Sequence, residues 1–381
     1  MTSIQEPKTF EDYDLPFNLL RGISANGFDR PSPIQEKTIP ILLSGKELIA
    51  QAHSGAGKSL AFIIGSLFHT NPDDPACQSL ILSPTRELAE QTYNVATQVG
   101  QYMNLKIRLC MGGTNVGECI KNMRDAQMVI ATPGRLHEML RKRKLNLSKL
   151  RILVIDEADE MLSRGFLDQI KELIMDHISN DTKITLFSAT YPPDLKEITN
   201  NFMKDCEEVL VPPEELTLKG LKQYYIDVED ARYKFDVLCD LYRTIQVNQT
   251  IIYTHSKHTV EQLADMLDSK GFPIAIIHGE MSATERSEVM RAFRQGTSRI
   301  LLSTDLLARG IDVQQVELVI NYDLPRNKAN YIHRVGRTSR YGRKGTSINL
   351  VSSREMRDMK EIARLYNANI VELPASFVIG E

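Results

Sequence analysis

The feature that most constrains the fold is a glycine-containing loop, Ala52-His53-Ser54-Gly55-Ala56-Gly57-Lys58-Ser59, which stands between an apolar stretch and a helix-like segment. A strand that turns through such a loop into a helix is the setting that a phosphate-binding loop requires. Backbone N–H groups would hold phosphate oxygens, Lys58 would reach the outer phosphates and the Ser59 hydroxyl would ligate Mg²⁺. We therefore predict a nucleotide-binding loop at Ser54, Gly55, Ala56, Gly57, Lys58 and Ser59.

A second signature, Asp156-Glu157-Ala158-Asp159, directly follows an apolar run at residues 152–155. At the carboxyl end of a buried strand, Asp156 would supply an acidic group near the metal, and Glu157 would accept a proton from an attacking water. A solvated acidic turn or an ordinary glycine-rich loop is the alternative for either motif alone. Because both occur in this order, the pair predicts a site that hydrolyses a nucleoside triphosphate.

Length and composition predict a folded protein of two domains. The 381 residues exceed what one hydrophobic core covers, and 42% hydrophobic with 25% charged residues leave little room for disorder. The net charge is −3, so nucleic-acid binding must come from the local placement of basic residues. The dense basic run Arg141-Lys142-Arg143-Lys144 is more typical of a solvated helix end.

The cysteines and the N-terminal sequence indicate the cellular compartment in which the protein is expected. The five cysteines form no C-x-x-C pair and show no metal-like spacing with histidine, so they are expected to be reduced thiols. The N-terminus lacks a basic segment followed by an apolar one, and nowhere do eighteen apolar residues run together. We expect a cytoplasmic protein without a membrane contact.

Short apolar runs alternate with helical-period segments along the whole chain. This alternation indicates α/β domains in which parallel sheets are flanked by helices. Val211-Pro212-Pro213-Glu214-Glu215 interrupts the pattern, so we place a linker near it. The predicted strands contain residues 80–82, 129–130, 152–155, 184–187, 251–253, 274–277, 300–302 and 318–320.

The second half contains a cluster of basic side chains, His333-Arg334-Val335-Gly336-Arg337-Thr338-Ser339-Arg340. Arg337 and Arg340 would share one face if the segment is helical, and arginine forks suit a γ-phosphate during transfer. A solvent-facing basic helix is the structural alternative. Thr304-Asp305 and Arg309-Gly310-Ile311-Asp312 follow an earlier strand of the same half and favour the functional interpretation.

With these motifs in this order, the chain resembles the DEAD-box RNA helicase family over nearly its whole length. Gly27-Phe28-Asp29-Arg30-Pro31-Ser32-Pro33-Ile34-Gln35 is similar to the segment by which the family reads adenine. The resemblance implies ATP as the nucleotide, contacted by Phe10, Phe28, Arg30 and Gln35, since a glutamine amide can donate and accept at once. It also implies two tandem RecA-like domains at 37–211 and 220–381, a linker at 212–219 and an N-terminal adenine-reading segment at 1–36.

The resemblance further implies roles for single residues. Arg337 and Arg340 would hold the γ-phosphate, and Gly310 and Asp312 would contribute to the nucleotide site. His333 would bridge to Asp159 or Ser188. Ser188 and Thr190 would couple the acidic loop to RNA, although by chemistry alone such hydroxyls could equally cap a helix.

RNA contact is implied for hydroxyl groups, glycine backbone and scattered arginines, which grip sugar and phosphate without reading bases. We therefore expect sequence-independent binding of single-stranded and duplex RNA. The family pattern has Gln where this chain has Ala283, so one second-domain contact is expected to be missing, and Ser59 and Ser339 are replacements that we expect to be tolerated. The implied RNA set is the segment Pro84-Thr85-Arg86-Glu87-Leu88-Ala89, of which Thr85 and Arg86 are the main candidates, with Gly112, Gly113, Thr132, Pro133, Gly134, Arg135, Thr254, Arg286, Thr304 and Asp305.

Three further segments are similar in sequence to the subfamily that acts in eukaryotic translation initiation, although a splicing-associated RNA clamp shares much of the same sequence. They are residues 215–220, 305–316 and 321–325. The subfamily implies a monomer that works with a helical-repeat scaffold protein. We expect ATP-driven domain closure that separates short RNA duplexes; the alternatives are an ATP-gated RNA clamp that acts as an assembly platform, and a DNA translocase.

Overall fold

The computed structural model describes residues 9–53, 55–162, 165–203, 205–210, 221–245, 247–305, 316–338 and 345–374. The described residues up to Ala52 and Ala56–Leu210 form one compact unit, and those from Leu221 onward form the body of a second. Each unit contains one parallel sheet of seven strands flanked by helices. The predicted α/β class with two parallel sheets is confirmed.

The first sheet has the strand order β3-β4-β2-β5-β6-β1-β7, and every neighbouring pair is parallel. Parallel pairing places the carboxyl ends of all strands at one edge, where ligands of α/β sheets bind. The strands are β1 Glu47–Gln51, β2 Ser79–Leu82, β3 Ile107–Cys110, β4 Met128–Ala131, β5 Ile152–Asp156, β6 Lys183–Ser188 and β7 Cys206–Val209.

The helices of the first unit begin at residues suited to helix starts. Thr85 accepts a hydrogen bond from the Leu88 N–H at 3.3 Å, and proline stands in the first turn of three helices, where no N–H is needed. The helices span Phe17–Ala25, Pro33–Leu43, Lys58–Phe68, Arg86–Val99, Val116–Met123, Pro133–Arg141, Ala158–Met161, Leu167–Glu172 and Pro193–Thr199, with short 3₁₀ and π turns at Phe10–Asp12 and Leu173–His177.

The second sheet repeats the topology of the first. Its order is β10-β11-β9-β12-β13-β8-β14, which is the order of the first sheet with each strand number raised by seven. Its strands are β8 Leu221–Glu229, β9 Thr250–Tyr253, β10 Ile274–Ile277, β11 Ile300–Ser303, β12 Leu318–Asn321, β13 Gly345–Ser352 and β14 Ile370–Glu372. Its helices are Ala231–Tyr233 (3₁₀), Lys234–Thr244, Lys257–Asp268, Ala283–Arg294, Ala329–Val335 and Met356–Leu365.

The central strands read as unbroken apolar runs because both faces of the sheet are covered. In β11, Leu301 packs in one hydrophobic cluster and Leu302 packs in another. Ile251 and Ile252 of β9 divide between the same two clusters. Since successive side chains of a strand point to opposite faces, each face has its own core.

The predicted apolar runs all lie in strands, but the sequence did not reveal β13, a central strand that contains polar residues. All eight of its residues are buried. The side-chain amide of Asn349 is hydrogen-bonded inside the sheet. The Asn349 Oδ1 accepts from the Asn321 Nδ2 at 2.8 Å, and the Asn349 Nδ2 donates to the Tyr224 carbonyl at 2.8 Å. A buried polar pair of this kind depends on partners that are distant in sequence.

The basic run at residues 141–144 is solvated, as predicted. The helix Pro133–Arg141 ends at its first member, and all four residues are exposed. Lys142 pairs with Glu138, one turn earlier, at 2.6 Å. The run therefore remains a surface feature.

None of the helices in the described part of the chain has both the length and the apolar composition needed to cross a bilayer.

Gly22 marks a close contact between helices Phe17–Ala25 and Arg86–Val99. A Cβ at this position would stand 1.8 Å from the Val99 carbonyl oxygen. We expect Gly22→Ala to lower the free energy of unfolding by about 1–3 kcal/mol, because the two helices must separate to admit the methyl group. Calorimetric melting checks this, with Gly279→Ala as the control because a Cβ at Gly279 would have no neighbour within 4 Å. Equal melting temperatures for the two variants would contradict the packing argument.

Candidate nucleotide and RNA sites

The register of β6 brings the two nucleotide signatures together. β6 lies between β1 and β5, and its residue Phe187 is paired with Ala50 on one side and with Asp156 on the other. The loop after β1 and the acidic residues at the end of β5 therefore lie at the same position along the carboxyl edge of the sheet. The sequence had predicted both motifs, and the sheet places them one strand apart.

Gly57 allows the predicted adenine-reading segment to approach the predicted phosphate loop closely. Its φ of 94° lies in the left-handed region, and a Cβ there would stand 2.6 Å from the Gln35 Nε2. The Ser32 hydroxyl donates to the Ala56 carbonyl at 2.7 Å, and the Gln35 Nε2 donates to the Gly57 carbonyl at 2.8 Å. A side chain at position 57 would break both contacts.

Gln35 uses both atoms of its amide within the protein. Its Oε1 accepts from the Ser32 backbone N–H at 2.8 Å, which completes a capping box at the start of helix Pro33–Leu43. The sequence had predicted that this amide reads adenine, and the described contacts give it a second task, which is to position the loop. Of the other predicted adenine contacts, Phe10 is buried, Phe28 is half-buried and Arg30 is exposed.

Lys58 begins the helix Lys58–Phe68, so the predicted phosphate site lies at a helix N-terminus. Its Nζ donates to the Ala52 carbonyl at 2.7 Å, across the phosphate loop. Although lysine is seldom buried, only 6% of this side chain is exposed. A buried ammonium beside a loop of backbone N–H groups is a site for an anion.

Asp156 and Glu157 form a buried acidic pair. Burial and, to a lesser extent, the neighbouring Glu157 raise the pKa of Asp156 to about 8, while Lys58 opposes the shift. Glu157 adopts a left-handed conformation with φ 49°, and its backbone N–H donates to the Asp156 Oδ1 at 2.9 Å. The Asp156 carboxyl, which Lys58 influences, and the hydroxyl of Ser59, the next residue after Lys58, are both hard oxygen ligands of the kind that Mg²⁺ selects.

Asp159 is held by the hydroxyl groups of the Ser-Ala-Thr segment. Its backbone N–H donates to the Ser188 Oγ at 3.2 Å, and the Thr190 Oγ1 donates to its Oδ2 at 2.6 Å. Because this N–H belongs to the first turn of helix Ala158–Met161, Ser188 also acts as a cap from another strand. Hydrogen bonds thus join the two motifs and one of them caps the helix, while the coupling to RNA stays a prediction.

Seven of the predicted RNA residues line one cleft of about 360 Å³. They follow β2, β3 and β4, the other half of the same carboxyl edge, where Leu82 and Cys110 are both paired with Ala131. Glu138 and Phe166 also line the cleft and were not predicted, since neither belongs to a motif. Thr85 and Gly113 flank this set, which consists of Pro84, Arg86, Gly112, Thr132, Pro133, Gly134 and Arg135.

Arg135 is the most constrained side chain of this cleft. Its Nη2 donates to the Thr114 carbonyl at 3.1 Å, and its Nε lies 3.1 Å from the Glu138 Oε2. Gly112 donates its N–H to the Thr132 hydroxyl at 3.4 Å, and a Cβ at Gly112 would approach Arg86 to 3.2 Å. The cleft therefore presents guanidinium groups, hydroxyls and accessible backbone at glycine, and groups of these kinds bind phosphate and sugar.

In the second unit, Thr254, Thr304 and Asp305 follow the adjacent strands β9 and β11, whose last residues, Tyr253 and Ser303, are paired. Arg334 joins this edge. Its Nε contacts the Asp305 Oδ1 at 2.5 Å, and its Nη1 donates to the Asn321 Oδ1 at 3.1 Å and to the Asp323 carbonyl at 2.7 Å. Asp305 is thus engaged within the protein as well as being a predicted RNA contact.

Arg334 is fully buried, and its guanidinium stacks 5.0 Å from the centre of the Tyr253 ring. Sequence reasoning named this arginine within the basic cluster but gave it no role, because its partners lie on three strands. The helix Ala329–Val335 ends before Arg337, so that arginine is in the turn that follows, where its Nε donates to the His333 carbonyl at 3.0 Å. His333 and Arg286 are also buried.

Several predicted positions lie outside the described residues. They are Ser54, Gly310, Asp312, Ser339 and Arg340, together with the linker at 212–219, the whole segment 215–220 and most of the segment 305–316.

Comparison with known proteins assigns the family. Residues 32–198 match the DEAD/DEAH box helicase family, and residues 233–342 match the helicase conserved C-terminal domain. The ATP-dependent RNA helicase eIF4A of Aspergillus clavatus is 47% identical over 367 residues, or 96% of this chain and 92% of that protein. The chain belongs to the DEAD-box family of RNA helicases. The eIF4A of Neurospora crassa shows the same identity and the same coverage of both chains.

Solved structures agree with this membership. Saccharomyces cerevisiae Dbp5 bound to RNA and ADP BeF3 has a TM-score of 0.91 at 34% identity, with 97% of this chain and 96% of that chain covered. Mss116p bound to single-stranded RNA and AMP-PNP has a TM-score of 0.87 at 28% identity, with 98% and 81% covered. This DEAD-box chain therefore has the two-domain fold of enzymes that were solved with RNA and nucleotide.

The contact between Gln35 and the phosphate loop predicts a change in nucleotide affinity. Gln35→Glu keeps the acceptor for Ser32 but sets a carboxylate oxygen against the Gly57 carbonyl, so we expect the Kd for ATP to rise about tenfold or more. Fluorescence titration with a labelled ATP analogue measures this. Gln101→Glu, at an exposed position, adds the same charge and should bind as the native protein does. Unchanged affinity of the Gln35 variant would contradict the positioning role.

The cleft predicts a salt-dependent contribution from Arg86. If Arg86 contacts one phosphate, Arg86→Ala should weaken binding of single-stranded RNA about tenfold and lower the slope of log K against log salt by about 0.7. Fluorescence anisotropy at several salt concentrations measures both values. Arg141→Ala removes the same charge from an exposed helix end and should change neither by a comparable amount. Equal salt slopes for the two variants would argue against a phosphate contact at Arg86.

Proposed function

We propose that the protein is an RNA-stimulated ATPase that locally separates short RNA duplexes and acts on messenger RNA in translation initiation. The observation that carries this proposal is the carboxyl edge of the first sheet. Its β1–β6–β5 half presents the phosphate loop with the buried acids, and its β2–β4–β3 half presents the cleft of backbone, hydroxyl and guanidinium groups. One rigid sheet would connect the nucleotide to the RNA.

Nucleotide chemistry would divide among residues of both units. Lys58 would bind the outer phosphates, and Ser59 and Asp156 would hold Mg²⁺, in part through water. The metal, when bound, would neutralise phosphate charge. Glu157 would accept the proton of the attacking water, and Arg337 and Arg340 would stabilise charge on the transferred phosphoryl group.

RNA would be held without reading its sequence. The lining of the cleft consists of groups that recognise sugar and phosphate. Thr254, Arg286, Thr304 and Asp305 would add contacts from the second unit. Such a grip accepts any messenger RNA, so target choice would come from partners.

Free energy limits what one cycle can do. A base-pair step of DNA, used here as a proxy for RNA, holds about 1.4 kcal/mol of stacking, so three or four steps require about 4–6 kcal/mol. One cycle of ATP binding and hydrolysis suffices for a few steps but not for dozens at once. We infer local strand separation without processive movement. Efficient unwinding of long duplexes by the protein alone would contradict this inference.

The proposal extends to the working form of the protein. The eIF4A-named relatives support a cytoplasmic helicase of the initiation complex. We propose that it is a monomer and that a helical-repeat scaffold protein of that complex stimulates it. Light scattering would test the monomeric state, and steady-state ATP hydrolysis with and without such a scaffold would test the stimulation.

The decisive test is steady-state ATP hydrolysis with and without single-stranded RNA. We expect stimulation by RNA, and we expect Glu157→Gln to lower the stimulated kcat at least about a hundredfold because the amide cannot accept the proton of the attacking water. ATP affinity should be retained, since the shape of the side chain is kept. Glu160→Gln, in the short helix that Glu157 precedes, is the matched control and should keep most of the activity.

The other outcomes separate the alternatives. Tight ATP-dependent RNA binding with turnover near background would favour the RNA clamp. Equal stimulation by DNA and RNA of the same length would favour a translocase on DNA. Full activity of Glu157→Gln would exclude Glu157 as the base.

A further inference from the structure

Two cysteines stand together beneath the RNA cleft. Cys110 is the last residue of β3 and Cys119 lies in helix Val116–Met123, and their sulfur atoms are 3.8 Å apart. Both side chains are buried, at 0% and 4% exposure. The loop between them contains Gly112, which lines the cleft. The pair thus joins the two ends of a loop that forms part of the predicted RNA site.

The two thiols differ in reactivity. Hydrogen bonding with Cys110 and with the Arg135 guanidinium lowers the pKa of Cys119 to about 6, whereas the same pairing and burial raise the pKa of Cys110. Of the two thiols, Cys119 is therefore the one that loses its proton more readily. A thiolate next to a second cysteine is the arrangement found in cysteines that oxidise reversibly.

We propose that Cys110 and Cys119 are a thiol–disulfide modification site at which a peroxide reversibly closes a disulfide and thereby weakens RNA binding in the cleft. The part that concerns RNA rests on the proposed function. The part that concerns the disulfide rests only on the two sulfur atoms and their surroundings.

The chemistry balances with hydrogen peroxide as the oxidant. The Cys119 thiolate attacks one peroxide oxygen, the O–O bond breaks, and the departing hydroxide takes a proton to become water, which leaves a sulfenic acid on Cys119. The Cys110 sulfur then attacks the Cys119 sulfur, the S–O bond breaks, and the hydroxyl group leaves as water with the proton from Cys110. Two thiols are oxidised and one peroxide is reduced to two waters. A small dithiol reverses the reaction by exchange.

Access to Cys119 depends on a short surface helix. Val116–Met123 has eight residues, of which Val116, Cys119, Ile120 and Met123 pack on the core and the other four are exposed, and it is preceded by the exposed residues Thr114 and Asn115. A surface helix of two turns next to an exposed loop opens locally at a smaller cost in free energy than the central strands do. Peroxide, which is close to water in size, can reach the thiolate during such openings.

Closure of the disulfide would disturb the cleft. The sulfur atoms must approach from 3.8 Å to about 2.05 Å, so the helix or the end of β3 has to move. The same loop carries Thr114, whose carbonyl and hydroxyl both accept from Arg135. Oxidation would also remove the thiolate partner of Arg135. Both changes shift this guanidinium from its position, and loss of one charged contact to phosphate weakens binding about tenfold.

The experiment treats the full protein with hydrogen peroxide and measures two quantities separately. Intact mass and peptide mapping report whether a Cys110–Cys119 disulfide forms, and fluorescence anisotropy reports the Kd for single-stranded RNA. We expect the disulfide to form, the Kd to rise about tenfold, and dithiothreitol to restore both values. Cys119→Ser keeps a hydrogen-bonding group of similar size and should not respond to peroxide.

Cys77→Ser is the matched control. Cys77 is buried in the same unit, but burial raises the pKa of its thiol to about 12, so its replacement should leave the peroxide response intact. Absence of the Cys110–Cys119 disulfide, or a disulfide that leaves the Kd unchanged, would overturn the proposal. If the reduced protein does not bind RNA at all, the proposed function fails, while the mass measurement still decides the disulfide.

Discussion

The parallel pairing of β6 between β1 and β5 is the constraint on which the first unit depends. Because Phe187 of β6 is in register with both Ala50 and Asp156, the phosphate loop and the acidic loop must leave the sheet side by side. The same edge continues through β2, β4 and β3 to the cleft. A slip of one residue in β6 would turn its side chains to the opposite face and separate the Ser188 hydroxyl from Asp159.

A single buried charge has the corresponding role in the second unit. Burying the Arg334 guanidinium costs free energy unless its donors are satisfied. Here Asp305 accepts from its Nε, Asn321 and the Asp323 carbonyl accept from its Nη1, and the Tyr253 ring covers it. These partners come from the ends of β9, β11 and β12. One side chain therefore fixes the helix that precedes Arg337 to the edge where the predicted RNA residues lie.

Much of the fold followed from the sequence because apolar runs report burial directly. Runs such as residues 152–155 needed only the local rule that a doubly covered strand is apolar throughout. The strand β13 was not predicted because its polar residue Asn349 is hydrogen-bonded to Asn321, a partner that the local sequence does not show. The role of Arg334 and the second task of the Gln35 amide were hidden for the same reason. Motifs identify which residues act, whereas the contacts between motifs arise only when the chain has folded.

The nucleotide site departs from what stability alone would favour. Asp156 and Glu157 are adjacent buried acids, and Glu157 also has a left-handed backbone, a conformation that costs free energy for a residue with a side chain. Hydrophobic residues could fill the same space without like charges in contact. Such local costs collect at functional sites, where they are offset by the rest of the fold. The surrounding sheet, with β5 buried along its whole length, supplies that offset and holds the two carboxyl groups where a ligand with positive charge would stabilise them.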